Sequence, residues 1–419
     1  MKPNPTDRLY YAVMSSLLAL CLCSGNSAAQ DQSHNAKPDQ DISCASVGLG
    51  EDHINHEQYQ SILDAYASVG FPGITAAIFT PNEGLWIGAS GFADLENKVP
   101  MVPCNVLFSG SVAKMYTVVG ALHLTENRAF RLRDRIARFL PDEIVENLPN
   151  AQQATITQLM NHTAGMPDHD DEEGLEAYVR ANEGRLPSAE EQLAFLYDNE
   201  PLFKPGTSAA YSSAHTLALS LVMDHAIEGD HADVVSSAII NKLGLKETFY
   251  KNEPNYPRPD RLVKGYFLED DDVPLEVTDY AVNYADGSRG DAGIIASAHD
   301  YFHFIKGVVE GRVLHPRTVR RIVAHPRYVF DDGTFALGFG LGVFTIKKDD
   351  KLVKVGHSGS TLGGTSHVYY YPTTGSYIVL LTNMLFEDNE ELLRLWGSEL
   401  LVGTSNQSIM SELENLVLN

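Results

Sequence analysis

Cysteine is scarce. The four cysteines of this 419-residue chain stand at positions 21, 23, 44 and 104 with no Cys-x-x-Cys pair, which leaves none in a catalytic pattern and too few for a structural zinc site. Basic residues are also under-represented: 31 Lys and Arg face 55 Asp and Glu, a formal net charge of −24. A surface of that sign repels nucleic-acid phosphates and anionic lipid headgroups, so neither is an expected partner. Long apolar runs are lacking too. The longest, Tyr10 to Cys23, has 14 residues and is interrupted by Ser15 and Ser16, short of the roughly 20 that span a bilayer. There is no Walker A loop, no G-x-G-x-x-G, no H-E-x-x-H and no EF-hand loop.

The apolar run instead fits an export signal. Lys2 and Arg8 supply a basic leader, and Ser27-Ala28-Ala29 offers a small-residue cleavage site. Residues 1–29 are therefore expected to be a signal peptide of a periplasmic or secreted protein; an uncleaved anchor is the alternative. Large leucines precede Cys21 and Cys23, which disfavours a lipoprotein site. In an oxidising compartment Cys44 and Cys104 can pair, but spacing alone does not decide it. The polar, aperiodic stretch 30–50 reads as a linker.

With 44% hydrophobic and 21% charged residues, the remainder can bury a large core. His56 to Ala67 has helical apolar spacing. Gly73 to Phe79 and Leu85 to Phe92 look like strands joined by the turn Pro81-Asn82-Glu83-Gly84. The middle is helix-rich, with candidates at Arg131 to Leu140, Ile156 to Asn161, Ala189 to Tyr197, His215 to Ile227 and Val234 to Leu243. The acidic runs Asp168 to Glu173, which contains His169, and Glu269 to Asp272 read as solvated loops, with a cation site as the alternative. Strand signals return at Gly342 to Lys347, Lys351 to Val355, Ser366 to Tyr371 and Tyr377 to Thr382. Their short turns, such as Pro372-Thr373-Thr374-Gly375, make neighbours antiparallel. Glu390 to Leu401 reads as a closing amphipathic helix. The expectation is an α+β fold: one antiparallel sheet built from both chain ends, flanked by helices, with an inserted helical lobe. It assigns 51–402 to one catalytic domain, with the sheet lobe at about 51–107 and 290–402, the helical lobe at about 108–289, and 403–419 as a tail.

Three stretches can carry chemistry. In Ser111-Val112-Ala113-Lys114, the lysine is the only charged residue between Val106 and Thr125, on what reads as a buried helix beginning near Ser111. Positions three apart share a helical face, so Ser111 and Lys114 would lie side by side. Burial and the helix N-terminus should lower the lysine pKa and let the neutral amine take the serine proton. The plainer alternative is a capping serine beside a snorkelling lysine. Tyr211-Ser212-Ser213 follows Lys204-Pro205-Gly206-Thr207; a tyrosine here can relay a proton, or simply edge the core. His357-Ser358-Gly359-Ser360 ends a strand before Gly363-Gly364. Gly359 allows close backbone approach and the Ser360 N–H can be an oxyanion donor, the alternative being a strand end with a solvated histidine. Gly356 to Ser360 nearly matches G-x-S-x-G, but a meander rather than a helix follows, which rules out a nucleophile elbow. His162 reads as helix-end packing.

Taken together, these stretches resemble the class C β-lactamase and DD-carboxypeptidase family of serine hydrolases. Phe108 to Lys114 resembles its nucleophile block, and Leu159 to Pro167 its H-T-S-G-L-P stretch. Pro205-Gly206-Thr207 with Tyr211-Ser212-Ser213 resembles P-G-T and Y-S-N. Gly293 to Asp300 resembles G-G-L-x-S-T-A-x-D, and His357-Ser358-Gly359 stands where the family has K-T-G or H-x-G. The likeness runs from Gln58 to Leu401 in consistent order. It implies a cleft between sheet and helical lobe, where Ser111 attacks an amide or ester carbonyl of a small-molecule or peptide substrate. Lys114 and Tyr211 would handle protons, Ser111 and Ser360 N–H groups would form the oxyanion hole, and His357 would border the substrate. No metal or organic cofactor is required. Two departures stand out: Ser213 replaces the family's asparagine, which contacts the lysine and the substrate amide, and His357 replaces a lysine. The first leaves a non-catalytic ligand-binding member of the same fold as the alternative.

Overall fold

The computed structural model describes residues 50–268, 273–386, 389–397 and 408–418. The expected signal, most of the linker, Cys44 and the acidic run Glu269 to Asp272 lie outside the described residues. We label the nine strands of the main sheet β1–β9 in chain order. They are Gly73–Thr80, Gly84–Asp94, Val99–Pro100, Arg327–Asp331, Phe335–Phe339, Phe344–Lys348, Lys351–Thr361, Gly364–Tyr371 and Ser376–Thr382. Their spatial order is β3-β2-β1-β9-β8-β7-β6-β5-β4, antiparallel throughout. The two chain ends meet where β1 pairs with β9, Ile74 opposite Thr382 and Ile78 opposite Ile378. This is the α+β arrangement expected from the sequence.

Alternation along the strands explains how one sheet carries two cores. Ile74, Ala76, Ile78, Ile378 and Leu380 point to one face, under the helices His56–Ala67, Glu390–Trp396 and Ile409–Leu418. Ala77, Val379 and Leu381 point to the other, toward Ala298–Val309 and the helical region. In that region Ala113–Glu126 packs against Ser213–Ile227. Both helices are apolar on nearly every side, the pattern of helices enclosed by protein. Among the described residues, no helix is long and apolar enough to cross a membrane.

Three sequence expectations need correction. Residues 403–419 are not simply a tail: Ile409, Met410, Leu413 and Val417 of the helix Ile409–Leu418 are buried in the sheet's second core. Each such side chain stabilises by about 1.5–3 kcal/mol, too much for a dispensable appendage. Arg131 to Leu140 is not a helix but an extended loop with one 3₁₀ turn, Ile136–Arg138. Its backbone bonds go sideways, Ile136 N to Ala154 O and Thr157 N to Leu132 O, so the helical ladder never forms. The closing helix stops at Trp396, where Gly397 takes a left-handed conformation (φ 90°) and caps it. Cys104 is disulfide-bonded.

Candidate active site

The helix that carries Ser111 begins with a 3₁₀ turn, Gly110–Val112, and continues as Ala113–Glu126. That geometry brings Ser111 and Lys114 onto one face: Lys114 Nζ donates to Ser111 Oγ at 2.9 Å. Lys114 is 1% exposed. Its other two donor directions are also filled, by Ser213 Oγ at 3.2 Å and the Asp291 carbonyl at 3.2 Å. The Tyr211 ring centroid lies 5.1 Å away, and its phenol interacts with both Ser111 and Lys114.

An ammonium has three donors, and here all three are matched. The lowered lysine pKa expected from burial is therefore not found. Desolvation does pull Lys114 down, but Tyr211, Asp291 and Asp170 outweigh it and raise the pKa above its ordinary value. Burial in turn raises Tyr211, with Lys114 and Ser111 opposing. The resting pair is an ammonium beside a neutral phenol.

The third stretch closes the site from the sheet. Gly359 of β7 lies against the Ser111 turn so closely that a Cβ there would overlap the Ser109 carbonyl and stand 2.8 Å from Ser111 N. A Cβ on Gly110 would in turn meet the Ser360 backbone. The turn cannot recede: Ser366 Oγ on β8 donates to Ser109 O at 2.8 Å, and Tyr301 holds the Ser109 hydroxyl. Ser358 is partly exposed and Ser360 exposed. His357 is not a solvated strand-end residue. It is 1% exposed, stacked on Phe344 at 4.2 Å, with its ring centroid 6.0 Å from that of Tyr211. All eight expected residues thus come from three segments that converge.

Behind Tyr211 lie two buried histidines. His162 stacks on the tyrosine ring at 4.6 Å, and its Nδ1 is 3.1 Å from His215 Nδ1. Burial holds His162 well below its ordinary pKa and His215 down at about 3, so both are neutral supports. His162 is packing, as the sequence suggested.

The residues that sequence reasoning missed are acidic. Asp168 to Asp170 is not a solvated loop: Asp168 and His169 are buried, and both Asp168 carboxylate oxygens accept the Ser213 N–H, at 3.0 and 2.9 Å. Asp168 thereby sets the start of Ser213–Ile227 and aims the Ser213 hydroxyl at Lys114. Desolvation and Asp170 raise the Asp168 pKa to about 7. Asp170 is lowered: burial pushes it up, but His169, Lys114 and bonds with Ser213 and Tyr284 prevail. His169, Asp170 and Asp291 place ligand atoms within 4.8 Å of one another, a grouping able to hold a metal, and the cation they face here is Lys114. The available signal was adjacency: Asp168 follows Met166-Pro167 directly, and Asp291 precedes the Gly293 to Asp300 stretch.

This arrangement predicts a modest role for Ser213. Ser213→Ala removes one charge-assisted bond to Lys114, worth about 1.5–3 kcal/mol. We expect kcat/KM on an activated ester to fall about 10- to 100-fold, with a lower melting temperature because the buried ammonium loses one acceptor. Wild-type turnover in the variant would remove Ser213 from the machinery.

Comparison with known proteins places the chain in a family. The family model described as Beta-lactamase matches residues 59–399. The chain belongs to the beta-lactamase family. It is 25% identical over 307 residues to penicillin-binding protein 4* of Bacillus subtilis (strain 168), covering 70% of this chain and 64% of that relative's length. Its fold is similar to that of D-amino acid amidase from Ochrobactrum anthropi SV3, with a TM-score of 0.71 at 22% identity over 87% of this chain and 98% of the amidase. It is also similar to EstCE1, a hydrolase with promiscuous acyltransferase activity, with a TM-score of 0.66 at 21% identity over 87% and 98%.

Proposed function

We propose that this beta-lactamase family member is a serine hydrolase that cleaves an amide or ester carbonyl through an acyl-enzyme on Ser111. One observation carries the reading: the Ser111 hydroxyl is held at 2.9 Å by a buried lysine that also lies over the Tyr211 ring. When the Lys114–Tyr211 pair has lost one proton, the amine of Lys114 takes the Ser111 proton as Oγ bonds to the carbonyl carbon. The oxyanion faces the backbone N–H groups of Ser111 and Ser360. Collapse breaks the bond to the leaving amine or alkoxide, which takes its proton through Tyr211. Water then attacks the acyl carbon, the acid departs, and Ser111 recovers its proton. His357, Ser358, Gly359 and Ser213 line the reacting centre.

The names of similar proteins, a D-amino acid amidase, a penicillin-binding protein and a beta-lactamase, support D-amino-acid amides and β-lactams as substrate classes to test, and the sequence resemblance adds D-amino-acid peptides and short esters. Ser213 bonds Lys114, the contact that the family asparagine supplies, which weakens the case for a non-catalytic binding module. With the signal-like segment 1–29, the reading extends to an exported enzyme, periplasmic or secreted, whose sheet and helical lobes act as one catalytic unit. The experiment is a hydrolysis panel of nitrocefin, a D-Ala-D-Ala peptide, D-phenylalanine amide and p-nitrophenyl acetate, run beside Ser111→Ala with fluorophosphonate labelling. Turnover and labelling of the wild type alone are expected. Labelling of both proteins, or turnover of nothing, overturns the reading.

A further inference from the structure

The far end of the nucleophile helix carries a second concavity that the hydrolase mechanism does not use. It encloses about 810 Å³ and is lined by Arg128, Arg131, Arg133, Arg138 and Arg321, with Asp134 as its acidic residue. The helix Ala113–Glu126 has 14 residues, so at 1.5 Å per residue this cavity lies roughly 20 Å from Ser111. Arg131, Arg133 and Arg138 come from the loop that replaces the expected helix, Arg128 from the turn just after Ala113–Glu126, and Arg321 from the helix Pro316–Ile322, far away in sequence.

All five arginines are solvent-exposed, so water and salt moderate their repulsion, and the concavity keeps a local excess of positive charge that an anion can use. In a chain with 24 more acidic than basic residues, counter-charges are plentiful, yet they are not placed here. Among the described residues, Arg138 has an acidic partner, Asp134 at 3.7 Å; Arg128, Arg131, Arg133 and Arg321 have none. The loop is also held in place rather than free. Ala129 N bonds Leu124 O, Asp134 N bonds Arg131 O and Ile156 N bonds Asp134 O. The arginines are thus presented by a fixed backbone, which lowers the entropy lost when a ligand orders them. Phe130 and Leu132 add apolar wall.

We propose that this cavity binds an organic ligand carrying two or more phosphate groups. Guanidinium forks match phosphate oxygens bidentately, and each phosphate brings up to two negative charges, so two groups balance the local excess of four. The volume suits a small molecule or a lipid headgroup, with the apolar wall taking its organic part. The acidic remainder of the surface repels such ligands and confines them to this site.

The probe is sodium tripolyphosphate, titrated calorimetrically into the full chain in low-salt buffer. We expect one saturable site per chain that weakens as NaCl is added. Arg131→Gln/Arg321→Gln should weaken it at least about tenfold, as charge-assisted bonds are lost. Arg128→Gln/Arg133→Gln is the second pair should the first not fold, and unchanged melting and Ser111 labelling verify the fold. Sedimentation with phosphatidic acid vesicles but not phosphatidylcholine vesicles, lost in the variant, supports a lipid-borne phosphate. Tripolyphosphate binding without sedimentation supports a soluble ligand. Absence of saturable binding, or equal affinity in wild type and variants, overturns the proposal and leaves the hydrolase reading intact.

Discussion

Lys114→Ala should lower kcat/KM on p-nitrophenyl acetate by about three orders of magnitude or more. General-base catalysis contributes about 10²- to 10⁴-fold, and groups acting as a unit with the nucleophile lose nearly the whole effect when one is removed. The same substitution takes the ammonium from a buried site that contains Asp291 and faces Asp170. Breaking a buried ion cluster on one side costs about 3–5 kcal/mol, so a lower melting temperature should accompany the lost activity. Stability therefore cannot serve as the control, and the pH profile does.

The sign follows from the site. The acidic neighbours raise the Lys114 pKa and burial raises Tyr211, so across the neutral range the pair keeps both protons. The reactive form is the one that has lost a proton. Its fraction grows about tenfold per pH unit until the first macroscopic ionisation of the pair. Wild-type kcat/KM should climb steadily from neutral into alkaline pH, and the residual rate of Lys114→Ala should lack that climb beyond hydroxide background. A wild-type profile already flat from neutral pH upward would mean that the amine is free at rest, against the three-acceptor geometry.

How much of this was legible in the sequence depended on whether a contact was local. Ser111 and Lys114 lie one helical turn apart, so an i, i+3 rule places them together. The meander β6 to β9 has short turns, so its pairing followed from spacing. What determines the lysine's charge is not local: Ser213, Asp291 and Asp170 arrive from three other segments, and the acidic run looked solvated because composition carries no information about what covers a loop. The loop at 131–140 failed for a related reason. Its apolar spacing was helical, but Ala154 to Thr157 offered its backbone a lateral partner. The C-terminal helix was read as a tail because the surface it covers is assembled from both ends of the chain, from Tyr59 to Trp86 as well as from Tyr369 to Trp396.

Gly359→Ala should be nearly as damaging to turnover as a loss at the nucleophile itself, through a single methyl group. The new Cβ would overlap Ser109 O and approach Ser111 N to 2.8 Å and Val112 N to 3.0 Å. Every atom it meets is backbone of the nucleophile turn, and that turn is pinned by Ser366 and Tyr301. β7 must therefore withdraw, carrying the Ser360 N–H with it. Losing one oxyanion donor costs about 2.7–4 kcal/mol, and an ångström of misplacement alone about 10²-fold. We expect kcat to fall about 10²- to 10³-fold with a smaller change in KM, and overpacking to cost about 1–3 kcal/mol of stability. Gly333→Ala supplies the comparison. Gly333 has φ +84° in an exposed turn, and an added Cβ would meet nothing within 4 Å, so alanine there strains the backbone at about 1 kcal/mol without touching the site. Both variants should melt earlier, and only Gly359→Ala should stop turning over substrate. Wild-type kcat in Gly359→Ala would show that β7 can yield without moving the oxyanion donors, and the assignment of Ser360 would fall with it.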